Sequence, residues 1–263
     1  MTQQQTHQRP HVTLVGAGPG APELLTLKAV KAIAAATVLL VDDLVSDAIV
    51  AYASPSARII YVGKRGGCQS TPQAFIEKLM LQEALAGENV VRLKGGDPFI
   101  FGRGGEEVEH LRAQGVHVTV INGITAGLAG VTSLGVPLTH RAHAHGVLFI
   151  TGHAKQGATD AVDWAALSHT AAQAKLTLVI YMGMSGAAQL QTALLHGLDP
   201  YTPVAVIQHV SLPTQRHVVC TLSELHNTVV RDQMASPSVI VVGDVLQGLL
   251  HIAQDHQRFV AAA

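Results

Sequence analysis

Cysteine is almost absent from the 263 residues: Cys68 and Cys220 are the only two, far apart and in no CxxC arrangement. That excludes a disulfide framework and a thiolate-rich zinc site, and it fits a reducing compartment. Charge of one sign is lacking too. Lys plus Arg number 17 against 18 Asp plus Glu, a formal net charge of −1, so the chain as a whole offers no electrostatic pull on nucleic acid or an anionic membrane. Any anion site has to be local. No window holds eighteen uninterrupted apolar residues, and the Gln-rich opening at residues 1–11 has no apolar core of a leader peptide. These features predict a cytoplasmic chain. Aromatic residues make up 4%, whereas Ala and Gly abound, so the core has to be aliphatic with helices packed close on a sheet.

What is present is a rhythm of short apolar runs alternating with longer amphipathic stretches, the pattern of βαβ units whose strands are buried on both faces. Five runs occupy 12–15, 38–41, 58–62, 89–93 and 116–121, and five more occupy 147–151, 176–182, 204–208, 218–221 and 239–242. Residues 137–146, rich in turn-formers and His and without periodicity, read as the connection between two α/β domains. The expected division is a disordered tip at 1–11, a first domain at 12–139, a linker at 140–146 and a second domain at 147–263. Two helix starts are legible. Pro22 followed by Glu23 suits a first turn, where a missing N–H costs nothing and a carboxylate meets the positive dipole end. Thr71 before Pro72 suits an N-cap.

Two glycine-rich segments carry the candidate chemistry. The first, Gly16-Ala-Gly18-Pro19-Gly20-Ala21, follows a strand and formally satisfies the dinucleotide fingerprint GxGxxG/A, with Asp42 and Asp43 placed where a ribose-binding acid would sit. A nicotinamide-dependent oxidoreductase is therefore one reading. Pro19 and Pro22 weaken it by removing N–H donors where a pyrophosphate would be held. A plain tight turn needing positive φ is another reading. The second segment, residues 91–107 (VRLKGGDPFIFGRGGEE), lies just past the fourth strand, where open α/β sheets place their ligands. Five glycines between Gly95 and Gly105 are a costly way to build a mere connection. Backbone groups of Gly95 and Gly96 with the Asp97 carboxylate suit a charged amino-acid head, and Arg103 suits a substrate carboxylate.

These segments, together with residues 23–29, Asp42 with 44–46, residues 62–65, Asn122-Gly-Ile-Thr125-Ala126, Pro137-Leu-Thr-His140-Arg141 and Tyr181-Met182-Gly183, resemble the tetrapyrrole methyltransferase family. RLKGGDPFIFGRGGEE and PLTHR resemble its uroporphyrinogen-III C-methyltransferases in particular, and the likeness runs from His11 to about Leu246. The resemblance implies two αβα domains of the tetrapyrrole methylase type with the active site in the cleft between them. It implies S-adenosylmethionine as methyl donor, S-adenosylhomocysteine as by-product, and methylation of uroporphyrinogen III at carbons two and seven to precorrin-1 and then precorrin-2, on the branch leading to sirohaem or cobalamin. It implies a homodimer without a metal and without nucleic-acid or membrane partners.

Carried over by motif, the family's proton acceptor falls on Asp42 and its proton donor on Lys64. Cofactor contacts fall on Pro19, Gly95, Gly96, Asp97, Ile100, Thr125, Ala126, Met182, Ala205 and Val210. Arg65, Arg103, His140 and Arg141 are candidates for the substrate's carboxylates. The chain departs from the family pattern at Gln208-His209-Val210-Ser211, where a glycine is usual at Val210, and at Val41 and Ala21. Val210 still serves if its φ is negative. Other readings stay open. Met182 also suits a core, Asp42 a helix cap, and Glu106 and Glu107 first-turn partners of a helix dipole. The imidazoles of His140, His143 and His145 lack Cys or acidic companions and suit solvent or anions better than a metal. A non-catalytic S-adenosylmethionine sensor is the third functional reading.

Overall fold

The computed structural model describes residues 9–63, 72–152 and 162–253. Its contacts divide the chain into two compact units, Met1–Thr125 and Ala126–Ala263. The first runs β1 (His11–Gly16), α1 (Leu27–Ala35), β2 (Val38–Val41), α2 (Asp47–Val50), β3 (Arg58–Tyr61), α3 (Gln73–Leu85), β4 (Val90–Lys94), α4 (Gly104–Ala113) and β5 (His117–Ile121). The strands form one sheet in the order β3-β2-β4-β1-β5, and every neighbouring pair is parallel. Parallel pairing demands crossovers, and the helices that make them cover both faces. Alternation along the strands sorts the core. Val12, Leu14, Val38, Leu40 and Val90 meet Ile76 and Met80 of α3 and Val108 and Leu111 of α4. Val15, Leu39, Val41, Val91 and Leu93 meet Ala29 and Ile33 of α1 and Ile49 of α2.

The helix expected from Pro22 is a single 3-10 turn, Pro22–Leu24, with Pro at its first position. Leu25 and Thr26 then return to extended backbone, and α1 starts at Leu27. The hydroxyl of Thr26 decides this, accepting the Ala29 N–H at 3.1 Å, whereas Ala21 has no side chain with which to cap. Thr71 lies outside the described residues, and α3 opens directly after Pro72.

The second unit runs α5 (Ala126–Ser133), β6 (Gly146–Thr151), α6 (Trp164–Ala174), β7 (Leu176–Tyr181), α7 (Ala187–Leu194), β8 (Pro203–Gln208), β9 (Arg216–Thr221), α8 (Leu225–Arg231) and β10 (Ser238–Val242). Its sheet has the order β6-β7-β10-β8-β9. Only β6 and β7 pair in parallel; the other three pairs are antiparallel. The connection from β8 to β9, residues 209–215, is too short for a crossover and makes a hairpin instead. Leu178, Ile180, Val204, Val206, Ile240 and Val242 pack with Ala171 of α6, Leu190 and Leu194 of α7, and Leu225 and Val229 of α8.

The division thus falls earlier than the expected 139/140. Helix α5 lies against the second sheet: Gly127 donates its N–H to the Tyr181 hydroxyl at 2.7 Å, and a Cβ on Gly130 would stand 3.1 Å from Ile207. The connection at 137–146 is therefore internal to the second unit, pinned where Thr177 Oγ1 donates to the Leu138 carbonyl at 2.8 Å. At the other end, β1 begins at His11, a residue the expected tip had included.

Candidate active site

In a parallel sheet all carboxyl ends face one edge, so five loops converge there. In the first unit they touch closely. A Cβ on Gly16 would stand 2.8 Å from the Gly96 carbonyl oxygen, and one on Gly123 would run into that same oxygen and into Gly16. Glycine is required at these positions because three backbones, from the ends of β1, β4 and β5, share one point of contact. Gly18 and Gly96 exchange both hydrogen bonds, at 3.1 and 2.7 Å, as an isolated antiparallel bridge. Ser46 Oγ donates to the Gly20 carbonyl at 2.8 Å, and a Cβ on Gly95 would stand 2.8 Å from Leu44 Cβ, which draws in the loop after β2.

Asp97 ties this assembly together. It is buried, and Oδ1 accepts from the Phe99 N–H at 2.8 Å while Oδ2 accepts from the Gly123 N–H at 3.1 Å and from Asn122 Nδ2 at 3.3 Å. The carboxylate expected to hold an amino-acid head is thus engaged by three protein donors. Most of the glycines after it have packing causes as well. A Cβ on Gly102 would stand 2.8 Å from the Pro98 carbonyl oxygen, and one on Gly104 would collide with it. The folded-back loop leaves Phe99, Ile100 and Phe101 exposed, an apolar surface beside a polar rim.

The oxidoreductase reading of the first loop does not survive this geometry. Gly18 spends its N–H and its carbonyl on Gly96, and the helix that should present free N–H groups to a pyrophosphate starts only at Leu27.

Asp42 closes β2 and is half-buried; its Oδ1 accepts from the Asp43 N–H at 3.0 Å and its Oδ2 from Arg92 Nη2 at 3.3 Å. Arg92 belongs to a cluster that reading by motif missed. Arg92, Lys94 and Glu107 are 2%, 2% and 0% exposed. Glu107 Oε1 accepts from Arg92 Nε at 3.3 Å, Lys94 Nζ at 3.1 Å and Gln73 Nε2 at 3.2 Å. Burial and the adjacent Arg92 push the Lys94 amine below its ordinary value, against the opposing pull of Glu107 and Asp42. A signal was available: Arg92 and Lys94 stand two apart in an otherwise apolar central strand, so both face the same helices and require a buried counter-charge. Glu107 supplies it. Glu106 instead stays exposed, accepting from Arg103 Nε at 3.0 and 3.1 Å on its two oxygens. The pairing raises the Arg103 guanidinium and lowers the Glu106 carboxyl from their ordinary values.

In the second unit, β6, β7 and β8 point the same way, since β10 is antiparallel to both β7 and β8. Their carboxyl ends carry the expected Met182 and Val210. Met182 is 50% exposed with φ 55°, so it is no core residue. Val210 is buried, and the left-handed positions fall on its neighbours His209 (φ 52°) and Ser211 (φ 63°). Left-handed backbone at non-glycine residues stores strain of roughly 1–2 kcal/mol each and gathers at functional sites. Ala205 is fully buried within β8, paired with Val219 and Val241, in the strand expected to meet the cofactor.

Pro19 is half-buried in the first loop, and Thr125 and Ala126 stand at the junction of the two units. His140 and Arg141 are exposed, His140 stacked on His143 with ring centroids 4.7 Å apart. Among the described residues no group of three His, Cys, Asp or Glu is disposed to hold a metal. Lys64 and Arg65 lie outside the described residues. Burial pushes the Cys220 thiol up to about 11, which leaves no thiolate nucleophile there. A groove of about 440 Å³ beside the edge strand β3, lined by Val50, Ser54, Pro55, Ile59 and Tyr61 among others, holds none of the candidates.

The chain is thus an α/β protein of two units, each with unusual backbone at the carboxyl ends of its strands. Residues 11–226 match the family Tetrapyrrole (Corrin/Porphyrin) Methylases, and the chain belongs to that family. Within it, the chain is 49% identical to the uroporphyrinogen-III C-methyltransferase of Pseudomonas aeruginosa over 240 residues, 91% of this chain and 95% of that one. It is 47% identical to the siroheme synthase of Azotobacter vinelandii, covering 90% of this chain but only 50% of that longer protein. Among solved structures it resembles the uroporphyrin-III C-methyl transferase from Thermus thermophilus complexed with S-adenyl homocysteine. That match has a TM-score of 0.76 and 39% identity, over 90% of this chain and 99% of the other. The cobalt precorrin-4 methyltransferase shares the fold at a TM-score of 0.80 and 24% identity, over 90% of this chain and 95% of that one.

Proposed function

We propose that the chain transfers two methyl groups in succession from S-adenosylmethionine to carbons two and seven of uroporphyrinogen III, giving precorrin-1, precorrin-2 and S-adenosylhomocysteine. The observation that carries this reading is the meeting of the first-unit motifs at one sheet edge, where Gly16, Gly96 and Gly123 touch and Asp97 fastens the loops. The similarity to uroporphyrinogen-III C-methyltransferases over nearly their whole length supports it.

The donor fits the residues present. Exposed Ile100 and Phe99 offer apolar contact to a nucleoside, and Met182 holds an exposed, strained position of the kind kept for a ligand. With Asp97 committed inside the loop, we assign it to shaping the Gly95–Gly96 backbone that meets the donor, alongside Pro19, Thr125, Ala126 and the strand-end backbone at Val210. Ala205 supports that strand from within. S-adenosylmethionine supplies an already activated methyl group.

The chain's residues then have to align the pyrrole carbon and exclude water, so positioning dominates the rate. A ring carbon that gains a methyl leaves a cation and later a proton. Asp42, fixed by Arg92 and Asp43 and still half-open, is the group we assign to stabilise that charge and accept the proton, with Lys64 as donor. Arg65, Arg103, His140 and Arg141 are assigned to the substrate's carboxylates. Arg103 would exchange Glu106 for that partner. We extend the proposal to a cytoplasmic homodimer, to be checked by sedimentation; among the described residues no helix is long and apolar enough to cross a membrane.

Anaerobic uroporphyrinogen III with isotopically labelled S-adenosylmethionine tests the reading by product mass. One and then two added methyls are expected. Tight S-adenosylhomocysteine binding with no methyl incorporation would favour the sensor instead.

A further inference from the structure

Of the buried charges beneath Asp42, only Arg92 enters the chemistry above; Lys94 and Glu107 have no part in it, and the arrangement of the three is unusual for a structural ion pair. Two cations and one anion, Arg92, Lys94 and Glu107, lie wholly inside the first unit. All three donors reach Glu107 through Oε1, while Oε2 is buried without a hydrogen-bond partner among the described residues. A cluster serving stability alone is poorly made this way, since apolar residues of similar volume commonly do as well or better. An unsatisfied buried oxygen calls for an explanation.

The guanidinium of Arg92 is held at three points. Nε faces Glu107 at 3.3 Å, Nη1 donates to the Leu93 carbonyl at 3.2 Å, and Nη2 reaches Asp42 Oδ2 at 3.3 Å. A planar fork so fixed has no freedom to rotate. Among the described residues, the charge left over by two cations on one buried anion is matched at Asp42, whose side chain is 36% exposed.

We propose that Glu107, acting through Arg92 and backed by Lys94, is a positioning residue that holds the Asp42 carboxylate in its reactive orientation. The inference rests on the reading of Asp42 as the reacting carboxylate. Glu107 touches neither Asp42 nor solvent; its effect passes through a side chain that bridges the two.

The test is a double-mutant cycle on the full chain, with single-turnover methyl transfer normalised to sites titrated by S-adenosylhomocysteine, so that unfolded protein drops out. Glu107→Gln and Arg92→Lys are each expected to lower the turnover rate about tenfold or more, with KM for both substrates within about threefold of the parent. Combined with Asp42→Asn, either change is expected to cost less than about twofold beyond Asp42→Asn alone, because their effect acts through that carboxylate. Rates of the single variants within twofold of the parent, or losses that multiply in the double variants, would overturn the proposal while leaving Asp42's role intact. Full turnover in Asp42→Asn would instead sink the underlying reading. Should Glu107→Gln fail to fold, Arg92→Lys carries the same comparison, since it keeps the charge beside Glu107 but shortens the reach to Asp42.

Discussion

The two units build sheets of equal strand number by opposite means. The first keeps every strand parallel, admits a charge cluster to its interior and brings its loops together through glycine. The second mixes strand directions, packs an aliphatic core against α6, α7 and α8, and turns its strand ends with non-glycine residues held at positive φ. The first therefore adds close backbone approach to left-handed side chains of its own at Phe101 and Arg103, whereas the second displays Met182, His209 and Ser211 in that conformation. Both devices put the unusual residues at the carboxyl ends of parallel strands, where side chains are not needed to fill the core.

Glu107→Ala leaves Arg92 and Lys94 buried without their anion and is expected to destabilise the chain by about 3–5 kcal/mol, against about 2–5 kcal/mol for Leu178→Ala in the second core. Urea unfolding measures both, and a loss under 1 kcal/mol for Glu107→Ala would show the cluster to be well solvated. Gly123→Ala drives a methyl into the Gly96 carbonyl and should cost about 1–3 kcal/mol or more. Gly186→Ala in the second unit meets open space and should be neutral or stabilising by up to about 1 kcal/mol.

Met182→Gly removes a left-handed side chain from the second unit. Releasing the left-handed strain should raise stability by about 1 kcal/mol in a thermal melt while weakening S-adenosylhomocysteine binding by calorimetry. Unchanged affinity would make the strain incidental. Arg103→Ala removes an exposed pair worth about 0–1 kcal/mol, so stability should barely move. Its expected effect is a KM for the tetrapyrrole raised about tenfold, the loss of roughly one charge-assisted contact, with donor binding unchanged. Equal losses for both substrates would contradict the division of roles.

The smallest effect is electrostatic and lies at the opposite edge of the first sheet. Burial and the stacked His117 hold the His11 imidazole below 6.5, so over the range beneath that value the unfolded chain binds the proton first. Stability attributable to this site is full above about pH 6.5 and falls as the pH drops through the folded value. Partial exposure keeps it small. His11→Gln should flatten the decline in urea midpoint on acidification, and an unchanged slope would assign the decline elsewhere.

All ten strands were legible as short apolar runs: β2, β4, β8 and β10 because burial on both faces leaves that imprint whatever the neighbour's direction, and the more exposed β3, β6 and β9 because they too carry β-branched and apolar residues. For the same reason the antiparallel pairing of β8, β9 and β10 was not legible. Helix α5 was missed as part of the second unit since its small residues, Gly127 and Gly130 among them, show no amphipathic stripe and declare their side only against Val179 and Ile207. The glycine segments could be found by spacing, but not that Asp97 serves the loop rather than a ligand, which depends on Asn122 and Gly123 from the next strand. Glu107 looked like a dipole partner in a first turn; its real partners are two residues of β4 and one of α3.

The proposed function places the sulfonium donor at the glycine-dense strand ends of the first unit. A crystal structure of the chain with S-adenosylhomocysteine tests it most directly. The ligand is expected against the backbone of Gly95 and Gly96. Density for the ligand away from Gly95 and Gly96, in a crystal where binding is independently saturated, would contradict it.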